Sequence, residues 1–315
     1  MNWPESITVL CGGVGGSRFL RGLAQVVQNE RITAVVNTGD DIVLHGLHIS
    51  PDVDIVLYSL AGLIDDEKGW GIKGDTFRCL ETMGKLGMET WFVLGDKDLA
   101  THILRTSLLG QGRTLSEVTH ELAGRLNARV KVVPMADQRF ETRVKTPSGW
   151  MNLQEYLVKR QMRDDILRLG FPGRGKTQPA PGVLRSVSKS DLLILPPSNP
   201  FVSIGTILSL RGVRKAVERR RGPTVAISPI IGGRVVKGPL AKMMRAHGME
   251  VSSLAVAHMY RGLLDGFVLD ARDSRFKDQL KLTGIEVLVT DIMMPDMESS
   301  KRLAGEVLEF SKTLT

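Results

Sequence analysis

The sequence predicts an α/β fold built on a doubly wound, mostly parallel sheet. Short Val/Ile/Leu runs recur along all 315 residues with helix-like segments between them. Several of these runs are apolar without alternation, the mark of strands buried on both faces. A glycine-rich turn joins the first run to the first helix-like segment, as in sheets that bind ligands beyond their strand ends.

The elements follow in order. Ile7, Val9 and Leu10 make the first strand, placed at Thr8–Leu10, and Phe19, Leu20 and Leu23 give the next segment one apolar helical face. Further strands are expected at Ile32–Asn37, Thr90–Leu94, Arg129–Pro134, Leu192–Leu195, Thr224–Ser228, Gly266–Asp270 and Glu286–Thr290. Residues 138–190 interrupt the rhythm with "KRQMRDDILRLGFPGRGKTQPAPG", rich in charge, Gly and Pro, and read as a small lobe or lid inserted into a single 1–315 domain. "VLVTDIMMPD" looks like the phosphoacceptor strand of a receiver domain, but only 24 residues follow Asp291, too few to complete such a sheet. It is read as the last strand of this fold.

Composition narrows the function. Hydrophobic residues at 42% and charged residues at 24% are ordinary for a soluble globular protein. Two cysteines, Cys11 and Cys79, form no C-x-x-C, and no run reaches the length needed to span a bilayer, so a cytoplasmic protein is expected. The net charge of +8 suits an anionic small molecule, with nucleic acid as the rival. The densest basic stretch, Arg211 to Pro223, has no interleaved aromatics for base stacking and suits a helix end, so no nucleic-acid partner is expected.

In doubly wound sheets the residues just past each strand line the ligand site. The first such stretch holds Gly12, Gly13, Gly15, Gly16 and Ser17. Glycines let backbone N–H groups approach a phosphate closely, and the first helical N–H groups lack internal partners. The pattern matches neither the Walker loop nor G-x-G-x-x-G, and a tight strand–helix junction has the same look.

After the second strand, "NTGDD" brings the adjacent carboxylates of Asp40 and Asp41, either a Mg²⁺ site or a turn-capping pair. Asp52 and Asp54 follow in "SPDVD", as caps or as a second acidic wall, and Trp70 in "WGIKGDTF" stacks on a flat ligand or fills the core. In "LGDKDLATHILR", Asp98, Thr101, His102 and Arg105 share one helix face, a site wall or a solvated face. His45 and His48 lack further ligands at zinc spacing, and no nucleophile elbow is present.

Taken together, "CGGVGGSRFLRGL", "VVNTGDD", "HGLHISPDVDIVLYSLAG", "GWGIKGDTF", "LGDKDLATHI", "PPSNPFVSIGTIL", "SPIIGGRVVKGP" and "DGFVLD" resemble, collinearly and over nearly the whole length, the 2-phospho-L-lactate transferase family of coenzyme F-420 biosynthesis. The resemblance implies a Rossmann-like fold and a Mg²⁺-dependent transfer. A phospho-three-carbon-acid group, 2-phospho-L-lactate or phosphoenolpyruvate, moves from a guanosine diphosphate ester to the ribityl hydroxyl of the deazaflavin Fo, and GMP leaves. By motif, Gly12, Gly13, Gly15, Gly16 and Ser17 would bind the donor phosphates. Asp40 and Asp41 would face metal and phosphates, and Asp54, with Asp96 of "GDKD" nearby, would contact the deazaflavin; these three, Asp40, Asp41 and Asp54, are the catalytic candidates. Val93 stands where the family often carries a basic deazaflavin-contacting residue. The family also suggests a homodimer. The alternative is the related gluconeogenesis-factor branch, non-catalytic regulators that bind nucleotide sugars; the "SPD-x-D" and "WGIKGDT" segments argue against it.

Overall fold

Seven apolar runs of the sequence become the seven strands of one parallel sheet. The computed structural model describes residues 3–314. The strands are β1 (Ile7–Cys11), β2 (Ile32–Val36), β3 (Lys131–Pro134), β4 (Leu192–Leu195), β5 (Thr224–Ile227), β6 (Gly266–Asp270) and β7 (Glu286–Thr290). Their spatial order is β7-β6-β5-β4-β1-β2-β3, and every neighbouring pair is parallel. The chain runs outward from β1 through β2 to β3, then returns to β4 on the other side of β1. That reversal between β1 and β4 opens a crevice at the carboxyl ends of both strands.

The lack of alternation in the strands has a direct cause. Val9 and Cys11 of β1 pack into one apolar layer, with Phe19, Leu20, Val56 and Leu303, while Leu10 packs into the other, with Leu193, Ile204 and Phe267. Both faces of the sheet are covered, so both parities must be apolar. Helices α1 (Gly13–Leu23), α2 (Pro51–Leu60) and the C-terminal α4 (Met297–Ser311) cover the first face; α3 (Asp96–Gly110) lies beside α2. Asp296 of the receiver-like stretch caps α4, and β7 is the last strand, as expected, and lies at the sheet edge.

Thr90–Leu94 is the exception. It pairs with no strand, and the segment is an irregular connection leading into α3. Two of its apolar residues, Leu94 and Phe92, pack in a satellite cluster with Ile49, Leu99, Ile42, Leu44 and Leu47. Packing of Leu94 and Phe92 in that cluster, without a partner ladder, leaves Val93 exposed and accounts for only part of the strand-like composition. The cluster's other wall is the hairpin Ile42–Leu44 and Leu47–Ile49, turned through His45 and Gly46, both left-handed at φ 53° and 78°.

Within residues 138–190, three antiparallel strands, Arg143–Thr146, Gly149–Asn152 and Arg168–Gly170, build a lobe with a small core of its own around Val144, Leu153 and Tyr156. Val202 and Met243 of the main body close that core. From Ala180 onward the stretch rejoins the main body, where Val183 and Val187 pack in the large core.

Candidate active site

At the crevice between β1 and β4 lies a cavity of about 510 Å³. Its floor is the turn of Gly12, Gly13 and Gly15, facing Pro197, Ser198 and Asn199 of the segment after β4. The two segments touch closely. Ser198 Oγ donates to the Gly12 carbonyl at 2.8 Å and receives the Gly12 amide at 3.4 Å. A Cβ on Gly15 would collide with the Pro197 carbonyl oxygen, and one on Gly16 would lie 2.5 Å from Ser198 Oγ. The glycines therefore let two strand-end loops meet, a demand separate from any ligand. Gly16 and Ser17 are turned inward; the Ser17 hydroxyl donates to the Val14 carbonyl at 3.0 Å.

Asp52 closes the head of α1. Its Oδ1 accepts the Gly13 amide and its Oδ2 the side-chain amide of Asn37, both at 2.8 Å. A carboxylate thus sits at the positive end of α1. Burial pushes the Asp52 carboxyl up to about 6, against the lowering effect of the Asn37 and Gly13 hydrogen bonds.

The adjacent pair of "GDD" is divided. Asp40 lines the cavity, is 6% exposed, and its Oδ1 has no hydrogen-bond partner. Burial, and then the Asp52 charge, raise its carboxyl well above the usual range. Asp41 is absent from the lining; its Oδ2 accepts from Ser50 Oγ at 2.7 Å and contacts His48 Nε2 at 3.0 Å. Among the described residues no three His, Cys, Asp or Glu side chains gather as a metal cage. Mg²⁺ requires less, commonly one or two carboxylates plus substrate phosphates and water. Asp40, with its orphaned oxygen beside Asp52, fits that demand.

The α3 face is a buried network. Asp54 of α2 pairs bidentately with Arg105, whose Nη1 also donates to His102 Nδ1 at 3.2 Å. Arginine only donates, so the proton of His102 sits on Nε2, 3.3 Å from Asp98 Oδ1. Asp98 also accepts the Tyr58 hydroxyl at 2.6 Å. Asp54, Asp98, His102 and Tyr58 all reach the cavity wall. Asp96 does not line the cavity; its carboxylate receives the amides of Arg78 and Cys79 and the Thr76 hydroxyl, fastening the start of the helix Arg78–Lys85. Asp75, in turn, accepts the amides of Lys97 and Asp98 at the head of α3.

Apolar residues share the cavity with these acids. Trp70, Phe92 and Val93 line it together with Leu157, Val158 and Met162 of the lobe, which thereby contributes to the cavity wall. Lys237, from the segment after β5, lines it as well. Sequence reading singled out the segments holding Ser198, Asn199 and Lys237 but not those residues, and it passed over Tyr58, Asn37 and Gln154. Their polarity carries no spacing signal, because they reach the site from several different strands and the lobe.

Fold and site together define a doubly wound α/β protein with an acidic small-molecule cavity at its switch point. Comparison with known proteins sharpens this. The family model for 2-phospho-L-lactate transferase CofD matches residues 7–304. A phosphoenolpyruvate transferase of Streptomyces griseus is 42% identical over 312 residues, covering 97% of this chain and 98% of its own. A 2-phospho-L-lactate transferase of Methanosarcina acetivorans is 40% identical over 306 residues, covering 97% and 99%. The chain belongs to the 2-phospho-L-lactate transferase family, and is an enzyme of the transferase class. A crystal structure of a UPF0052-family protein from Bacillus halodurans shares the fold, with a TM-score of 0.64 at 16% identity and coverage of 98% and 99%. No helix among the described residues is long and apolar enough to cross a membrane.

Proposed function

We propose that this chain transfers a phospho-three-carbon-acid group from a guanosine diphosphate ester to the terminal ribityl hydroxyl of the deazaflavin Fo. The hydroxyl oxygen forms the new bond to the phosphorus bearing the acid, the bond from that phosphorus to GMP breaks, and the hydroxyl proton is lost. The observation that carries the reading is the mixed lining of one cavity. Trp70, Phe92 and Val93 share it with the carboxylates of Asp40, Asp52 and Asp54, a match to a flat tricycle joined to a polyhydroxylated chain and an anionic donor.

Such a transfer depends on alignment and charge neutralisation more than on covalent catalysis. Asp54, fixed by Arg105, orients the ribityl hydroxyl; Tyr58 and His102 hold that wall through Asp98. The glycine turn positions the donor beside Asp40. Mg²⁺, when bound, neutralises phosphate charge, and Asp40 and Asp52 are the residues that would hold it. The lobe's Leu157, Val158 and Met162 exclude water from their part of the wall. The two free cysteines accord with a cytoplasmic enzyme, and the family suggests a homodimer. Incubation with Fo, Mg²⁺ and each guanosine diphosphate ester, with mass detection of the deazaflavin product, tests the reading; no product from any donor overturns it.

A further inference from the structure

We propose that Lys237 is a ligand of the donor's diphosphate, standing over the glycine turn; the proposal rests on the transfer reaction above. Four aspartates line the cavity, Asp40, Asp52, Asp54 and Asp98, and Lys237 is the one Lys or Arg among the lining residues. A diphosphate entering that field needs cationic partners beyond the head of α1, because Asp52 already takes the Gly13 amide.

Lys237 is free to act as one. Its Nζ donates to the Lys68 carbonyl at 2.9 Å, and among the described residues it has no carboxylate within ion-pair distance. An ammonium carries three donors, so two remain for a ligand. Its location is fixed by Gly69, which follows Lys68 in a left-handed conformation at φ 76°. A Cβ built on Gly69 would lie 2.9 Å from Val14 Cγ1 and 3.7 Å from Lys237 Nζ. The ammonium and Val14, in the first turn of α1, therefore both lie against Gly69. An independent observation marks the same cavity as a ligand site: the buried Oδ1 of Asp40 has no partner, an acceptor left for a ligand's hydroxyl or for a cation that accompanies the diphosphate.

A purely mechanical role, strapping the segment after β5 to the loop at Lys68, makes a different prediction. Calorimetric titration of Lys237→Met and Lys237→Arg with GDP and with guanosine separates the two, alongside melting temperature and turnover with donor, Fo and Mg²⁺. Since Lys237 is exposed, both variants are expected to melt as wild type does. Lys237→Met should weaken GDP about tenfold or more while leaving guanosine unchanged, and Lys237→Arg should recover most of the loss. Wild-type GDP affinity in Lys237→Met, or an equal loss for guanosine, overturns the proposal. Wild-type protein that binds no GDP overturns both the proposal and the transfer reading. Wild-type protein that binds GDP yet makes no product with Fo sinks the transfer reading alone.

Discussion

Arg105 meets Asp54 with both terminal nitrogens, Nη1 on Oδ2 at 3.1 Å and Nη2 on Oδ1, in a pair whose side chains are 0% and 6% exposed. Removing one partner leaves a buried charge uncompensated. Arg105→Ala should therefore cost about 3–5 kcal/mol in denaturant unfolding. The double variant Asp54→Leu/Arg105→Leu should lose far less than the two single losses added together. Strict additivity would show that the pair is not coupled.

The glycine turn separates into two kinds of position. Gly13 has φ 69° and open space where a Cβ would go, whereas a Cβ on Gly15 would strike the Pro197 backbone. Gly13→Ala should cost about 1–2 kcal/mol of backbone strain and keep the fold. Gly15→Ala should cost more and should loosen the contact between the segments after β1 and β4, seen as faster amide exchange at Ser198. Equal melting temperatures for the two variants would refute this distinction.

Mg²⁺ dependence should follow Asp40 rather than Asp41. Each has one unpaired buried oxygen, but Asp40 lines the cavity, while Asp41 lies outside the lining and its other oxygen is engaged by His48 and Ser50. Asp40→Asn should lower kcat/KM for the donor at least about tenfold, with a higher Mg²⁺ requirement, and Asp41→Asn should have the smaller effect on that requirement. Indistinguishable Mg²⁺ titrations of the two variants would remove Asp40 from the metal.

Acid should act through Asp98. Burial raises its carboxyl, but the His102 hydrogen bond, the Tyr58 hydroxyl and the Arg105 charge outweigh burial and hold it below the usual carboxylate value. A group depressed in the folded state contributes stability that is fully present above its unfolded pKa, about 4, and is lost as pH falls through the folded value. Asp98→Asn should flatten the decline of unfolding free energy below about pH 4. A decline as steep as wild type's would place the acid sensitivity elsewhere.

The sheet was legible in the sequence because β1, β2 and β4 to β6 are short apolar runs whose burial on both faces leaves no alternation, and β7, half-buried at the edge, is apolar at its centre. Thr90–Leu94 reads the same way by composition, but of "TWFVL" only Leu94 is buried, and no partner ladder is present. The acids were legible as candidates by their place after strands. Their partners were not: Arg105 reaches Asp54 across 51 residues and Lys237 reaches Lys68 across 169, separations that no local pattern encodes. Trp70, open between core and ligand in the sequence, lines the cavity.

The reversal of strand order at β1 has one more consequence. The cavity draws on residues spread from Gly12 to Pro239, and among the described residues the two halves of the sheet are hydrogen-bonded to each other through the β1–β4 seam. Neither half of the sheet owns both walls. A molecule seated there acts as a non-covalent cross-link between the two halves. Its binding free energy resists separation of the whole sheet, about 2.7 kcal/mol at a hundredfold excess over Kd.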